Sequence, residues 1–166
     1  MTEKTFTLKR PLKKSDGSVV SEITLRQPTV GDLLQARKTE DNIDAVMISL
    51  LSGVHLLLVE KIAFSVFKKI TAWIAVVCNT NSKREKNLEQ ITYSLTKTVN
   101  TGGNRYTQIT LEEPCAGDFL KSRKATDTYL QGVKLIELVS GTCLEAVEAL
   151  SIADYTDAMD FLADFM

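Results

Sequence analysis

Residues 24–41 read TLRQPTVGDLLQARKTED, and residues 110–127 read TLEEPCAGDFLKSRKATD. Nine of these eighteen positions are identical, where average residue usage gives about one by chance. A match of that density inside one chain is an internal repeat, and it sets the architecture before any single element is assigned. It extends both ways. Downstream, Leu50-Leu51-Ser52-Gly53 falls opposite Leu138-Val139-Ser140-Gly141. Beyond that, Leu56, Val59, Glu60, Ile62, Phe67, Trp73 and Ile74 fall opposite Leu144, Val147, Glu148, Leu150, Tyr155, Phe161 and Leu162. Upstream, Phe6-Thr7-Leu8 matches Tyr93-Ser94-Leu95. The copies therefore occupy residues 1–78 and 91–166, joined by residues 79–90, whose core NTNSKREKN (79–87) is polar and charged as a linker should be.

Each copy opens on a hairpin pattern. Short apolar runs at Phe6–Leu12 and Val19–Leu25 flank Ser15-Asp16-Gly17-Ser18, and runs at Ile91–Val99 and Tyr106–Leu111 flank Asn100-Thr101-Gly102-Gly103-Asn104. Gly, Asn and Asp provide the positive-φ positions that tight reversals need. No Gly-Lys-Ser/Thr follows Gly102-Gly103, so this is a turn and not a phosphate loop. Proline then marks the corner into helix. Pro28 disfavours helix before it, Thr29 is placed to cap, and Asp32 sits near the positive end of the helix dipole. Copy two keeps Pro114 and Asp118 but has Cys115 at the cap, a weak hydrogen-bond acceptor.

A second helix is expected over Asp44–Ser52 and Thr128–Val139, stopped by Gly53 and Gly141. A short apolar turn and a last helix follow. In copy two that helix is announced by Ser151-Ile152-Ala153-Asp154 and carries the stripe Tyr155, Ala158, Leu162 and Phe165; copy one repeats it as Phe67, Ile70, Ile74 and Val77. The fold class is thus α+β: two tandem copies of a β-hairpin followed by three or four helices. Because a unit of about 80 residues buries only a modest core, the two copies are expected to pack as a pseudo-dimer.

Composition narrows function mostly by exclusion. The 166 residues are 44% hydrophobic and 25% charged with a net charge of -1, the profile of a soluble globular protein with no general drive towards nucleic acid or acidic membrane. Residues 1–38 hold eight Lys/Arg against four Asp/Glu, and residues 106–166 hold four against eleven. This asymmetry suits attraction between the two ends or to partners of opposite sign, and equally fits two solvated faces with ordinary charge scatter. Cys78, Cys115 and Cys143 show no paired spacing, which fits reduced thiols in a cytoplasm. The start Met1-Thr2-Glu3-Lys4-Thr5 has no apolar core, so no signal peptide is expected. The stretch Ile43–Cys78 is interrupted by Glu60-Lys61 and Lys68-Lys69, so no membrane span is expected either.

No catalytic or metal-binding pattern stands out. His55, the only histidine, lies in Gly-Val-His-Leu-Leu-Leu without a second ligand or nucleophile at helical spacing and reads as a packed or surface residue. Asp154, Asp157, Asp160 and Asp164 read as a solvated helix face, since calcium loops need glycine-bearing, non-helical spacing. Lys9, Arg10, Lys13 and Lys14 crowd one strand without interleaved aromatics, the pattern of a charged edge strand and not of a nucleic-acid platform. These readings leave a non-enzymatic binding or scaffold protein with no cofactor.

The segment Thr24-Leu25-Arg26-Gln27-Pro28-Thr29-Val30-Gly31-Asp32, behind a hairpin that starts Phe6-Thr7-Leu8, resembles the opening of the tail assembly chaperones of contractile-tailed, Mu-like bacteriophages. Leu138-Val139-Ser140-Gly141 followed by Leu150-Ser151-Ile152-Ala153-Asp154-Tyr155 resembles that family's closing segment. The resemblance implies a small non-enzymatic protein that binds the tape measure protein and keeps it soluble until tail tube subunits polymerise. It implies a place in the cytoplasm of the infected or lysogenic host and absence from the mature virion. It also makes Thr24, Leu25, Arg26, Pro28, Asp32, Pro114, Asp118, Asp154 and Tyr155 structural motif positions. A tail-tube or baseplate adaptor of the virion, or a host-directed binding protein, is the alternative function. Family members are usually one unit of about half this length. Copy one has Val66 opposite Asp154, and copy two has Glu112 for the arginine and Cys115 for the threonine.

Where the copies disagree, a partner-binding surface is expected. Copy two has Glu145, Ala146 and Asp154 where copy one has Leu57, Leu58 and Val66. Positions that tolerate polar or small residues in one copy need not be core in the shared fold. Leu57, Leu58 and Val66, with Phe64 and Trp73, are accordingly the candidate partner-binding residues, facing a helix of the tape measure protein or the other copy. Self-association stays open.

Overall fold

A computed structural model describes residues 3–39, 42–78 and 90–165. Apart from Gln90, the expected linker at 79–90 lies outside the described residues. The elements run in order β1 (Glu3–Lys13), β2 (Val19–Arg26), α1 (Val30–Arg37), α2 (Ile43–Ser52), α3 (Leu56–Val59) and α4 (Phe64–Cys78). The same series then recurs as β3 (Gln90–Thr101), β4 (Asn104–Glu112), α5 (Ala116–Ser122), α6 (Thr128–Ser140), α7 (Leu144–Glu148) and α8 (Ile152–Ala163). Each copy is an antiparallel hairpin followed by four helices. The chain divides into two compact units, Met1–Pro28 with Gln35–Val77, and Thr29–Leu34 with Cys78–Met166.

In the first unit, β1 pairs with β2 from Glu3↔Arg26 to Thr7↔Glu22, and again from Leu12↔Val20. Between those stretches β1 advances five residues while β2 advances two, which makes a wide bulge. Pro11 lies in it, where its missing N–H removes no ladder bond. Gly17 turns the hairpin at φ 84°. Helix α2 lies on β2. It starts one residue earlier than the pattern predicts, because Asn42 caps it by accepting from the Ala45 N–H at 3.1 Å. It ends where Gly53 takes the left-handed conformation. The short apolar turn expected after it is helical: α3 is one turn, with His55 as its cap. Ile23, Leu25, Ile48, Val59 and Ile70 are fully buried in this unit.

The second unit repeats the plan. β3 and β4 pair from Gln90↔Glu112 to Ser94↔Gln108 and resume at Val99↔Tyr106, so the same five-against-two bulge falls at the same place. Gly102 and Gly103 form the two-residue turn at φ 58° and 77°. Helix α6 lies on β4, with α5, α7 and α8 against it. Asp127 caps α6 through the Tyr129 and Leu130 N–H groups at 2.8 and 3.1 Å. The core includes Ile109, Leu111, Ile136 and Val147, the repeat counterparts of Ile23, Leu25, Ile48 and Val59. Val30 and Leu34 join that core, and the Val30 N–H donates to the Leu150 carbonyl at 3.0 Å. The corner that opens α1 thus belongs to the second unit although its sequence belongs to copy one.

Candidate partner-binding surface

The two last helices use their apolar residues differently. Helix α8 buries seven of its twelve residues, whereas the fifteen-residue α4 buries only Val66 and Ile70. The repeated stripe is therefore core in copy two, with Tyr155, Ala158 and Leu162 buried, while Phe67, Ile74 and Val77 of copy one stay partly exposed. Leu57 is 61% exposed, Phe64 71% and Val76 71%. This is more apolar surface than packing of the unit requires.

Leu57 and Leu58 lie together in an open groove of about 800 Å³, with Val20 and Val54 on its apolar side. The same groove is lined by Lys13 and Lys14 at the end of β1 and by Lys61 after α3, and no carboxylate lines it. Its shape follows from local chemistry. Gly53 stops α2 in the left-handed conformation, and the His55 ring then accepts the Leu57 N–H at Nδ1, 3.3 Å away. That bond starts α3 and directs Leu57 outward. It also leaves the proton of the neutral ring on Nε2. His55 is thus exposed and serves as a helix cap, a role its lone position in the sequence does not announce.

Phe64 lies elsewhere, in a hollow of about 350 Å³ with Val59, Ile62 and Phe67, and the Lys68 ammonium stands 5.3 Å from its ring centroid. Trp73 is half-buried and meets Phe6 edge-on, with ring centroids 6.1 Å apart. Val66 is 5% exposed. The structure therefore brings Leu57 and Leu58 together at a surface, sets Phe64 and Trp73 in separate places, and puts Val66 in the interior.

The motif residues are structural in geometry. Pro28 and Pro114 are buried at equivalent strand-to-helix corners. The Asp32 carboxylate accepts from the Thr29 N–H and hydroxyl at 2.9 and 2.8 Å, and the Thr29 hydroxyl accepts from the Asp32 N–H at 3.3 Å, a complete capping box. In copy two, Asp118 accepts from the Cys115 N–H at 2.9 Å; the Cys115 thiol and N–H hold its carboxyl below the ordinary 3.8. Thr24 and Thr5 join hydroxyls across the hairpin at 2.8 Å, as do Thr110 and Thr92. Leu25 is fully buried, and the Arg26 guanidinium donates to the Gln27 carbonyl at 3.3 Å.

Asp154 departs from the solvated face expected of the α8 acids. Asp160 and Asp164 are exposed, but Asp154 is 5% exposed. Its carboxylate accepts from the Thr96 N–H at 3.0 Å, the Thr96 hydroxyl at 2.8 Å and the Ser151 hydroxyl at 2.7 Å. Thr96 sits in the β3 bulge, so this one acid ties helix α8 to the strand irregularity. Beside it Tyr155 stacks on Tyr129 with centroids 5.0 Å apart and donates to the Tyr129 carbonyl at 3.3 Å. Among the described residues no group of three or more His, Cys, Asp or Glu is placed to hold a metal ion, and no helix is long and apolar enough to cross a membrane.

A family model described as phage tail assembly chaperone proteins, E, or 41 or 14, matches residues 5–75 and, a second time, residues 92–166. The chain belongs to that family. Its two matched regions are the two structural copies, so the protein is a tandem duplication of the family unit. No curated protein and no solved structure matches the chain.

Proposed function

We propose that this chain binds the tape measure protein of its phage and keeps it soluble until tail tube subunits polymerise around it. Membership of the tail assembly chaperone family across both copies carries this reading. The apolar surface of the first unit supports it: Leu57, Phe64 and Val76 stand open, and Phe64 is exposed where its copy-two counterpart Ile152 is buried. A long helical client that exposes apolar faces before assembly needs such a surface to cover it. The task requires no bond making or breaking, so the chain acts as a non-enzymatic partner in the host cytoplasm and is absent from the finished particle.

Co-expression tests it. With the tape measure protein of the same phage, this chain should convert an insoluble product into a soluble complex that co-purifies, and purified virions should lack it. A tape measure protein equally insoluble with and without the chain, or this chain present in virions at stoichiometric amounts, would refute the reading.

A further inference from the structure

We infer that the groove of the first unit is a docking site for an amphipathic helical segment whose apolar stripe is flanked by carboxylates. The inference rests on the reading above that the protein holds a client, and it specifies where and by what chemistry. Leu57 and Leu58 form the apolar floor with Val20, and Leu57 is 61% exposed. Lys13 and Lys14 come from the end of β1 and Lys61 from the residues after α3. Among the described residues none of these three ammonium groups forms an ion pair within 4 Å, and Asp and Glu are missing from the lining. Lys14 feels the nearby Asp16 carboxylate, while Lys13 and Lys61 complete the basic border; an apolar floor with such a border takes an occupant that is apolar on one side and anionic beside it. The groove, about 800 Å³ and open, suits one face of a helix about 10 Å across that inserts two or three side chains. Copy two has Glu145 and Ala146 at the positions of Leu57 and Leu58, so this chemistry belongs to copy one and the duplicated halves are not equivalent binders. The acidic helix α8 of a second copy is a poorer occupant, because its apolar residues are already buried within its own unit.

The test uses the full chain and a fluorescent amphipathic peptide of about 18 residues, with leucines at i, i+3, i+4 and i+7 and glutamates on the flanks. A twin peptide carries lysine for every glutamate. The chain should bind the acidic peptide at least about tenfold more tightly than the twin, with affinity falling as salt rises. Leu57→Glu, and separately the triple change Lys13→Glu, Lys14→Glu, Lys61→Glu, should each cost at least about tenfold in affinity while circular dichroism and melting stay unchanged. Equal binding of both peptides, no binding of either, or full affinity in both variants overturns the assignment. So does preference for anionic vesicles or duplex DNA over the peptide, or a self-dimer that Leu57→Glu dissociates. The two readings separate cleanly: peptide binding without tape measure solubilisation sinks the client, and solubilisation that survives both variants sinks the groove.

Discussion

At Cys115 and Thr29 the same helix-start position is filled in two ways, and the difference is measurable. Thr29 offers its hydroxyl to the Asp32 N–H, whereas the Cys115 sulfur is a weak acceptor. Cys115→Thr should stabilise the protein by about 0.5–1 kcal/mol in urea unfolding, since a good cap is worth about that much. The capping box itself depends on pH in a known direction. Asp118 has a folded pKa below 3.8, so its contribution is full above 3.8 and is lost as pH falls through the lower folded value. Wild type and variant both carry Asp118, so both should lose that contribution in acid, while the variant's advantage comes from an uncharged hydroxyl and should be read at neutral pH; equal stability of the two proteins at pH 7 would contradict the capping account. The thiols also separate by environment. Cys115 is exposed, while burial pushes the Cys78 thiol up to about 11, leaving roughly one thiolate in a thousand at pH 8. Alkylation followed by mass spectrometry should label Cys115 at least about tenfold faster than Cys78. Equal rates would mean that the helix α4 terminus is not packed as described.

Between elements, the decisive device is the bulge shared by both hairpins. In copy two its Thr96 N–H, freed from the ladder, is taken by Asp154 of α8. In copy one the corresponding residues are Lys9 and Val66, one exposed and one buried, so both partners changed together. Asp154→Val should cost about 1–2 kcal/mol, because it removes the acceptor of the Thr96 N–H and hydroxyl and of the buried Ser151 hydroxyl, leaving the two hydroxyls only each other at 2.9 Å. Thr96→Lys with Asp154→Val restores the copy-one pair and lets the long side chain reach water. The double mutant should lose at least about 1 kcal/mol less than the sum of the single changes, as expected of residues in contact. Strict additivity in chemical denaturation would separate the bulge from the acid. Helix α6 offers a second check at Gly132, whose added Cβ would run into the Tyr155 hydroxyl and crowd the Met159 sulfur at 3.0 Å. Gly132→Ala should therefore destabilise by at least about 1 kcal/mol, despite alanine's better helix propensity.

For the molecule as a whole, duplication has let one unit keep a packed closing helix and the other expose apolar surface. The two kinds of position where the copies differ should respond in opposite ways. Leu57→Glu lies at the surface and should change stability by no more than about 0.5 kcal/mol, while impairing tape measure solubilisation. Val66→Asp puts a carboxylate at a buried position where Lys9 and Ala63 stand in place of Thr96 and Ser151, so the two hydroxyl donors that serve Asp154 are missing, and it should cost about 3 kcal/mol. Thermal melts of both variants beside the co-expression assay make the comparison. A destabilised Leu57→Glu protein would mean that Leu57 is core and that the exposed groove is not available to a client.

Much of this protein was legible in the residues alone, and for one reason: the signals were local or repeated. Turn glycines at 17, 102 and 103, the corner prolines 28 and 114, the stop glycines 53 and 141 and the cap at Thr29 each act within a few residues, so each hairpin and most helices follow from neighbours in the chain. The repeat showed that the same local series occurs twice, and with it the family. What the chain order could not convey depends on residues far apart in sequence. The bulge exists as an offset between two strands, so neither strand alone reveals it. Asp154 looked like one acid of a solvated stripe until Thr96, 58 positions away, came within 3.0 Å of it. Val66 and Leu57 read alike as extra apolar side chains; only packing buried the first and left the second beside Lys61 in an open groove. Burial is a property of what comes to lie against a side chain, and in this protein the tertiary fold alone settled it.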